Sequence, residues 1–286
     1  MPDDRLSKNQ RRDQARELAR IEREKAKRRE RLLRWAVPSG VTVVILAIIA
    51  VVVLVVVSSA PAPQTKAGPK NMITDGIVFT GVDGKMVPTK TAAIPAKGTP
   101  SPVATDYTPG VASIVTYVDF SCPACQAFEA TNGDQIQQMV AAGVATLAVH
   151  PVAILDSHYT TPYSTRSNNV AACVANFAPD SFYAVMQEMY KDQPAEGSAG
   201  LTNSQIVQTV HKAGLTNANV DKCINGESFK SWITAATTRT VNIPALAASG
   251  GGFATPTILI NGQRYTGSTT DASAFAAAVQ AAAAGS

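Results

Sequence analysis

Two cysteines one helical turn apart, Cys122-Pro123-Ala124-Cys125, stand directly after a run of β-branched and aromatic residues, Ser113–Phe120 (SIVTYVDF). Such a run reads as a buried strand. Pro123 suits the first position of a helix, where its missing N–H would have found no partner anyway. The chain is therefore committed here to a strand that passes straight into a helix, with a cysteine at the junction and a second one a turn inside.

The surrounding pattern extends that unit. Helical pieces are expected from Pro123 to about Glu129 and over Asp134–Ala142, and a second strand over Ala145–Val152. Between about 164 and 246 the pattern is helical, with pieces at Ser167–Asn176, Asp180–Lys191, Ser204–Ala213 and from Ser228 to Ala236 or beyond. Thr257–Ile260 and Gln263–Tyr265 then read as short strands around Asn261-Gly262, a strong hairpin signal. An Ala-rich helix, Asp271–Ala284, closes the chain. Alternating strands and helices imply a mixed α/β sheet, with the helical block inserted in one crossover.

Upstream, charge and hydropathy divide the chain. Residues 1–34 carry 13 Lys or Arg against 7 Asp or Glu, while the whole chain is only +4, so the remainder is slightly acidic. That argues against a nucleic-acid-binding domain. Ala36–Val57 is an uncharged, almost entirely apolar run, long enough to cross a hydrocarbon core of about 30 Å. The basic cluster before it should stay in the cytoplasm. A cleavable leader would have a shorter apolar core of about 7–15 residues. The expected organisation is a cytoplasmic charged tail (1–34), a single transmembrane helix (35–57), a Pro/Ala/Lys linker (58–70), an arm or hairpin and loop (71–111), and an extracytoplasmic α/β domain (112–286). Asp75-Gly76 and Asp83-Gly84 flank the apolar Ile77-Val78-Phe79 and supply the turn signals of the arm.

Four cysteines in an exported domain allow two disulfides in three connectivities. A C-x-x-C at a helix start is placed for redox chemistry, because unpaired amides and the positive end of the helix dipole favour the Cys122 thiolate. Cys125 should be the buried resolving thiol. A zinc site is disfavoured: Cys173 and Cys223 form no second C-x-x-C, and His150, His158 and His211 are scattered. Haem attachment would need a His at position 126, where Gln stands. No metal and no cofactor are expected. Cys173 and Cys223, both in the helical block, read as a structural disulfide, with a second redox pair as the alternative.

Asp119-Phe120-Ser121-Cys122-Pro123-Ala124-Cys125 followed by Phe128 resembles the D-[FY]-x-C-P-x-C-x-x-F signature of DsbA-like thiol oxidoreductases. Ala254-Thr255-Pro256-Thr257, leading into Asn261-Gly262, is similar to that family's T-P-T element. The anchor and the extra cysteine pair resemble Gram-positive and actinobacterial members. The resemblance implies a thioredoxin-like fold with a helical insertion. It also implies a cis Pro256 opposite the C-x-x-C, and a substrate surface at Pro123, Ala124 and Thr255.

Thioredoxin-fold enzymes often carry a buried carboxylate six residues before the nucleophile; that position is Thr116 here. Asp119 is the substitute candidate for a proton relay, expected at the strand end and nearer solvent. The implied activity is the oxidation of exported proteins with free cysteines. A DsbB-like or vitamin K epoxide reductase-like membrane partner would reoxidise the enzyme. A disulfide isomerase or extracytoplasmic reductase is the alternative within the same chemistry, and a non-enzymatic peptide-binding or chaperone module the alternative outside it.

Overall fold

A computed structural model describes Lys25, Lys27 and residues 66–103, 108–248 and 250–285. The chain divides at Ala60–Pro61 into two compact units. Of the first unit, Lys25 and Lys27 are described, both helical and exposed. The expected membrane span at 35–57 lies outside the described residues. Among those described, no helix is long and apolar enough to cross a membrane.

The second unit is built on one six-stranded mixed sheet. Its strands are β1 (Ile77–Val82), β2 (Lys85–Pro88), β3 (Ala112–Val118), β4 (Ala145–Pro151), β5 (Thr257–Ile260) and β6 (Gln263–Arg264), in the order β2-β1-β4-β3-β5-β6. β3 and β4 are parallel, with Ile114 opposite Leu147, and every other pairing is antiparallel. Both tight turns follow their sequence signals. Asp83-Gly84 and Asn261-Gly262 all take positive φ, as a two-residue hairpin turn demands.

The arm is the sheet's edge. β1 pairs with β4, Ile77 opposite Val149, so the sheet reaches upstream of residue 112. The hairpin also comes so close to the first helix that a Cβ on Gly81 would lie 2.2 Å from the Val140 carbonyl oxygen.

Helix α1 (Pro123–Ala141) packs across β1, β2 and β4. It is one helix where two pieces are expected from the sequence. Thr131-Asn132-Gly133 reads as an interruption, but Asn132 is fully buried and donates to the carbonyls of Phe128 and Thr269 at 3.0 and 2.8 Å. Tertiary contacts override a weak local propensity there.

Among the described residues, five α-helices lie between β4 and β5: α2 (Tyr163–Phe177), α3 (Phe182–Lys191), α4 (Asn203–Lys212), α5 (Ala218–Asn225) and α6 (Lys230–Val241). α5 is a helix the sequence reading does not assign; Asn217 caps it, accepting from the amides of Asn219 and Val220. α2 runs through the middle of the block, with Val170–Ala175 buried on every side. Helix α7 (Ala272–Ala284), capped by Asp271, returns to pack Phe275 edge-on to Phe128 of α1.

Residues alternate across β3. Ile114 and Val118 join the main core beneath α1 and the helical block, while Val115 and Tyr117 face a smaller cluster with Ala148 and Leu246. The ring of Phe120, the residue after Asp119, sits 5.5 Å from Tyr190 and 6.5 Å from Phe182. The end of the strand is thereby fastened to α3 immediately before the cysteines.

Candidate functional site: a dithiol at the start of helix α1

Cys122 is the N-cap of α1, in extended conformation (φ −87°, ψ 120°), and Pro123 occupies the first turn. Both cysteines are free thiols. Pro123 and Ala124 are exposed, Cys122 is 6% exposed, and Cys125 is fully buried one turn inside. The hairpin end of the domain arrives from the other side. The Cys122 Sγ lies 3.4 Å from the Thr255 carbonyl oxygen, and the Thr255–Pro256 peptide bond is cis. Thr255 and Pro256 are half-buried. The structure thus gathers Cys122, Cys125, Thr255 and Pro256 at one point, where the start of α1 meets the start of β5.

The two thiols differ in character. A hydrogen bond from the Cys125 thiol lowers the Cys122 pKa most, burial opposes it, and the Thr255 side chain and the Cys125 and Ala124 amides lower it further, to about 6. Neither amide completes a capping bond to the side chain, so their effect is that of N–H dipoles at a helix start. Burial raises the Cys125 thiol well above the ordinary range, and its bond to Cys122 adds to the rise. At neutral pH, Cys122 is therefore a thiolate and Cys125 a thiol, which is the division of labour a thiol–disulfide exchange centre needs.

Asp119 departs from expectation. It is fully buried rather than near solvent. Its carboxylate accepts from six donors: the Ser121 amide and hydroxyl, Asn168 Nδ2, the Ile154 and Leu155 amides, and the Ser164 hydroxyl, at 2.5–3.3 Å. It ties β3, the loop after β4 and α2 together beneath the cysteines. Burial is tolerable because every lone pair is used. Thr116 is also buried, its hydroxyl 3.4 Å from the Ala148 carbonyl oxygen.

A second carboxyl escapes sequence reasoning. Glu129, one turn beyond Cys125 on α1, is 4% exposed and accepts from Gln187 Nε2 at 2.8 Å and from the Tyr183 hydroxyl at 3.5 Å. Burial raises its pKa to about 7, against those two hydrogen bonds. With Gln126, Asp134, Gln187, Tyr190 and Lys191 it lines a cavity of about 380 Å³. Nothing in the local sequence marks this glutamate as buried.

Cys173 of α2 and Cys223 of α5 form a disulfide, with Cα atoms 5.8 Å apart. It crosses the interior of the helical block, on helices other than the one that carries the free pair. Among the described residues no group of three or more His, Cys, Asp or Glu could hold a metal ion.

The thioredoxin family model matches residues 111–281, more than half of the chain. The chain belongs to the thioredoxin family. Its fold is that of the DsbA-like members. The reduced DsbA of Mycobacterium tuberculosis is 26% identical, with a TM-score of 0.53 over 74% of this chain and 98% of that one. The reduced disulfide bond oxidoreductase DsbG of the same organism is 28% identical, with a TM-score of 0.51 over 61% and 84%. Oxidised BdbD from Bacillus subtilis shares the fold at 16% identity, with a TM-score of 0.51 over 77% and 98%. No curated protein matches the sequence.

Proposed function

We propose that this DsbA-like disulfide oxidoreductase introduces disulfide bonds into exported proteins through Cys122 and Cys125. The observation that carries the reading is the pair's asymmetry: a thiolate-prone Cys122 at the start of α1 beside a buried Cys125. A depressed thiol pKa stabilises the dithiol form, so the disulfide form is readily reduced and acts as an oxidant.

In the oxidised enzyme a substrate thiolate attacks Cys122 Sγ. The Cys122–Cys125 bond breaks, and Cys125 leaves as a thiolate that takes up a proton. A second substrate thiolate attacks the substrate sulfur of the mixed disulfide. The substrate leaves with a new disulfide, and Cys122 departs as the stabilised thiolate. Two electrons have moved from substrate to enzyme.

Thr255 offers an extended substrate a backbone carbonyl beside the reacting sulfur, and Pro123 and Ala124 are exposed at the start of α1. Cys173–Cys223 is a permanent staple of the helical block. The apolar run at 36–57 anchors the chain as a single span, with residues 1–34 in the cytoplasm and the domain outside. A membrane protein of the DsbB or vitamin K epoxide reductase-like type, passing electrons to quinone, restores the disulfide.

The test is catalysed oxidative folding of a reduced, multi-cysteine protein by the full chain, beside its Cys122→Ser variant. Activity that vanishes in the variant supports the reading. Suppressed aggregation that survives it, with no disulfides formed, would make the chain a holdase instead.

A further inference from the structure

Three consecutive carbonyls lead into the nucleophile, and side chains from outside α1 hold all three. Gln193 Nε2 donates to the Phe120 and Cys122 carbonyl oxygens at 3.0 and 3.1 Å. The Tyr159 hydroxyl lies 2.9 Å from the Ser121 carbonyl oxygen and 3.2 Å from that of Pro194. The amides of the same residues are also engaged. Phe120 donates to Asn168 Oδ1, Ser121 to Asp119 Oδ1 and Cys122 to the Asp119 carbonyl.

Gln193 and Tyr159 are themselves fixed. The Gly197 amide donates to the His158 carbonyl, and the Thr160 amide to that of Ser198, which interlocks the two segments. Next to Gln193, Asp192 is gripped by Lys212 Nζ and the Thr209 hydroxyl, both at 2.7 Å.

The direction of the Cys122 carbonyl defines its ψ, and ψ at this N-cap decides whether Sγ sits over the Ala124 and Cys125 amides. The same oxygen accepts the first helical bond of α1, from the Gln126 amide at 3.0 Å. A donor that pins it from the far side also offsets a negative dipole end next to the sulfur. We infer that Gln193, seconded by Tyr159, is a positioning residue that sets the reactivity of Cys122 by locking the peptide that carries the nucleophile against α1. The inference rests on Cys122–Cys125 being the redox centre, and it makes the helical block a part of the site rather than a cover over it.

The experiment is alkylation of Cys122 against pH in the reduced full chain, read by peptide mass spectrometry, with thermal melting as a check on folding. Gln193→Leu is expected to raise the midpoint by about one pH unit, slowing alkylation at pH 6 by about fivefold. Gln193→Glu keeps the size but has no N–H to give, and should shift it at least as far. Should the Leu variant fail to fold, Tyr159→Phe removes one hydroxyl and should give a smaller upward shift. A midpoint within about 0.2 units of wild type in every folded variant overturns the inference. A wild-type midpoint near the ordinary thiol value overturns it too, and takes the redox-centre reading with it.

Discussion

The Cys122 sulfur lies 3.4 Å from the Thr255 carbonyl oxygen, although 133 residues separate the two in the chain. Antiparallel pairing of β3 with β5, Thr116 opposite Ile258 and Tyr117 opposite Thr257, brings them together.

The thiols should separate cleanly by pH. Cys122, lowered to about 6, should be alkylated quickly at pH 7, while Cys125, raised well above 9, should resist. A folded-state pKa below the unfolded one stabilises the reduced fold above the unfolded value, and that stability is lost as pH falls through the folded one. Chemical denaturation of the reduced form should therefore show it gaining on the oxidised form between about pH 6 and 9. Parallel pH profiles for the two forms would count against a stabilised thiolate.

Glu129 carries the opposite sign. Its pKa is raised from 4.5 to about 7, so its contribution is favourable below about 4.5 and is lost as pH rises through 7. Glu129→Gln, which keeps an acceptor for Gln187 and Tyr183, should be more stable than wild type by on the order of 2–3 kcal/mol at pH 8. Near pH 4 the two proteins should match. Equal denaturation midpoints at pH 8 would mean the carboxylate is not desolvated.

Replacing Asp119 should injure the fold first. Asp119→Asn puts an N–H group where one carboxylate oxygen met three donors, and should cost about 2–4 kcal/mol. Denaturant titration measures that loss. A variant of unchanged stability with slowed thiol exchange would instead give Asp119 the role of a proton relay.

The Cys173–Cys223 bridge closes a loop of 50 residues, worth about 4 kcal/mol by loop-closure entropy. Cys173→Ala/Cys223→Ala should lower stability by about that amount. At temperatures where the variant is still folded, the Cys122 alkylation profile should be unchanged. Lost reactivity in the folded double variant would instead make the bridge a second working pair.

The strand-to-helix junction at the cysteines and both tight turns were legible in the sequence, because each depends on a few neighbouring residues; the place of Thr255-Pro256 was implied only by the family resemblance. What could not be read depends on distant partners. Asp83-Gly84 announces a hairpin, but only the Ile77–Val149 register makes that hairpin part of the sheet. Asp119 stands in a recognisable motif, yet four of its six donors lie on residues 154–168, and none has a local signature there. Glu129 looks like an ordinary exposed helix residue until α3 covers it with Tyr183 and Gln187.

The central claim is that the pair is built to oxidise, and its reduction potential tests that most directly. Equilibrating the full chain in glutathione buffers should place Cys122–Cys125 between about −120 and −180 mV, among oxidants and isomerases. A value near about −270 mV would mean that electrons flow the other way and that the protein is a reductase.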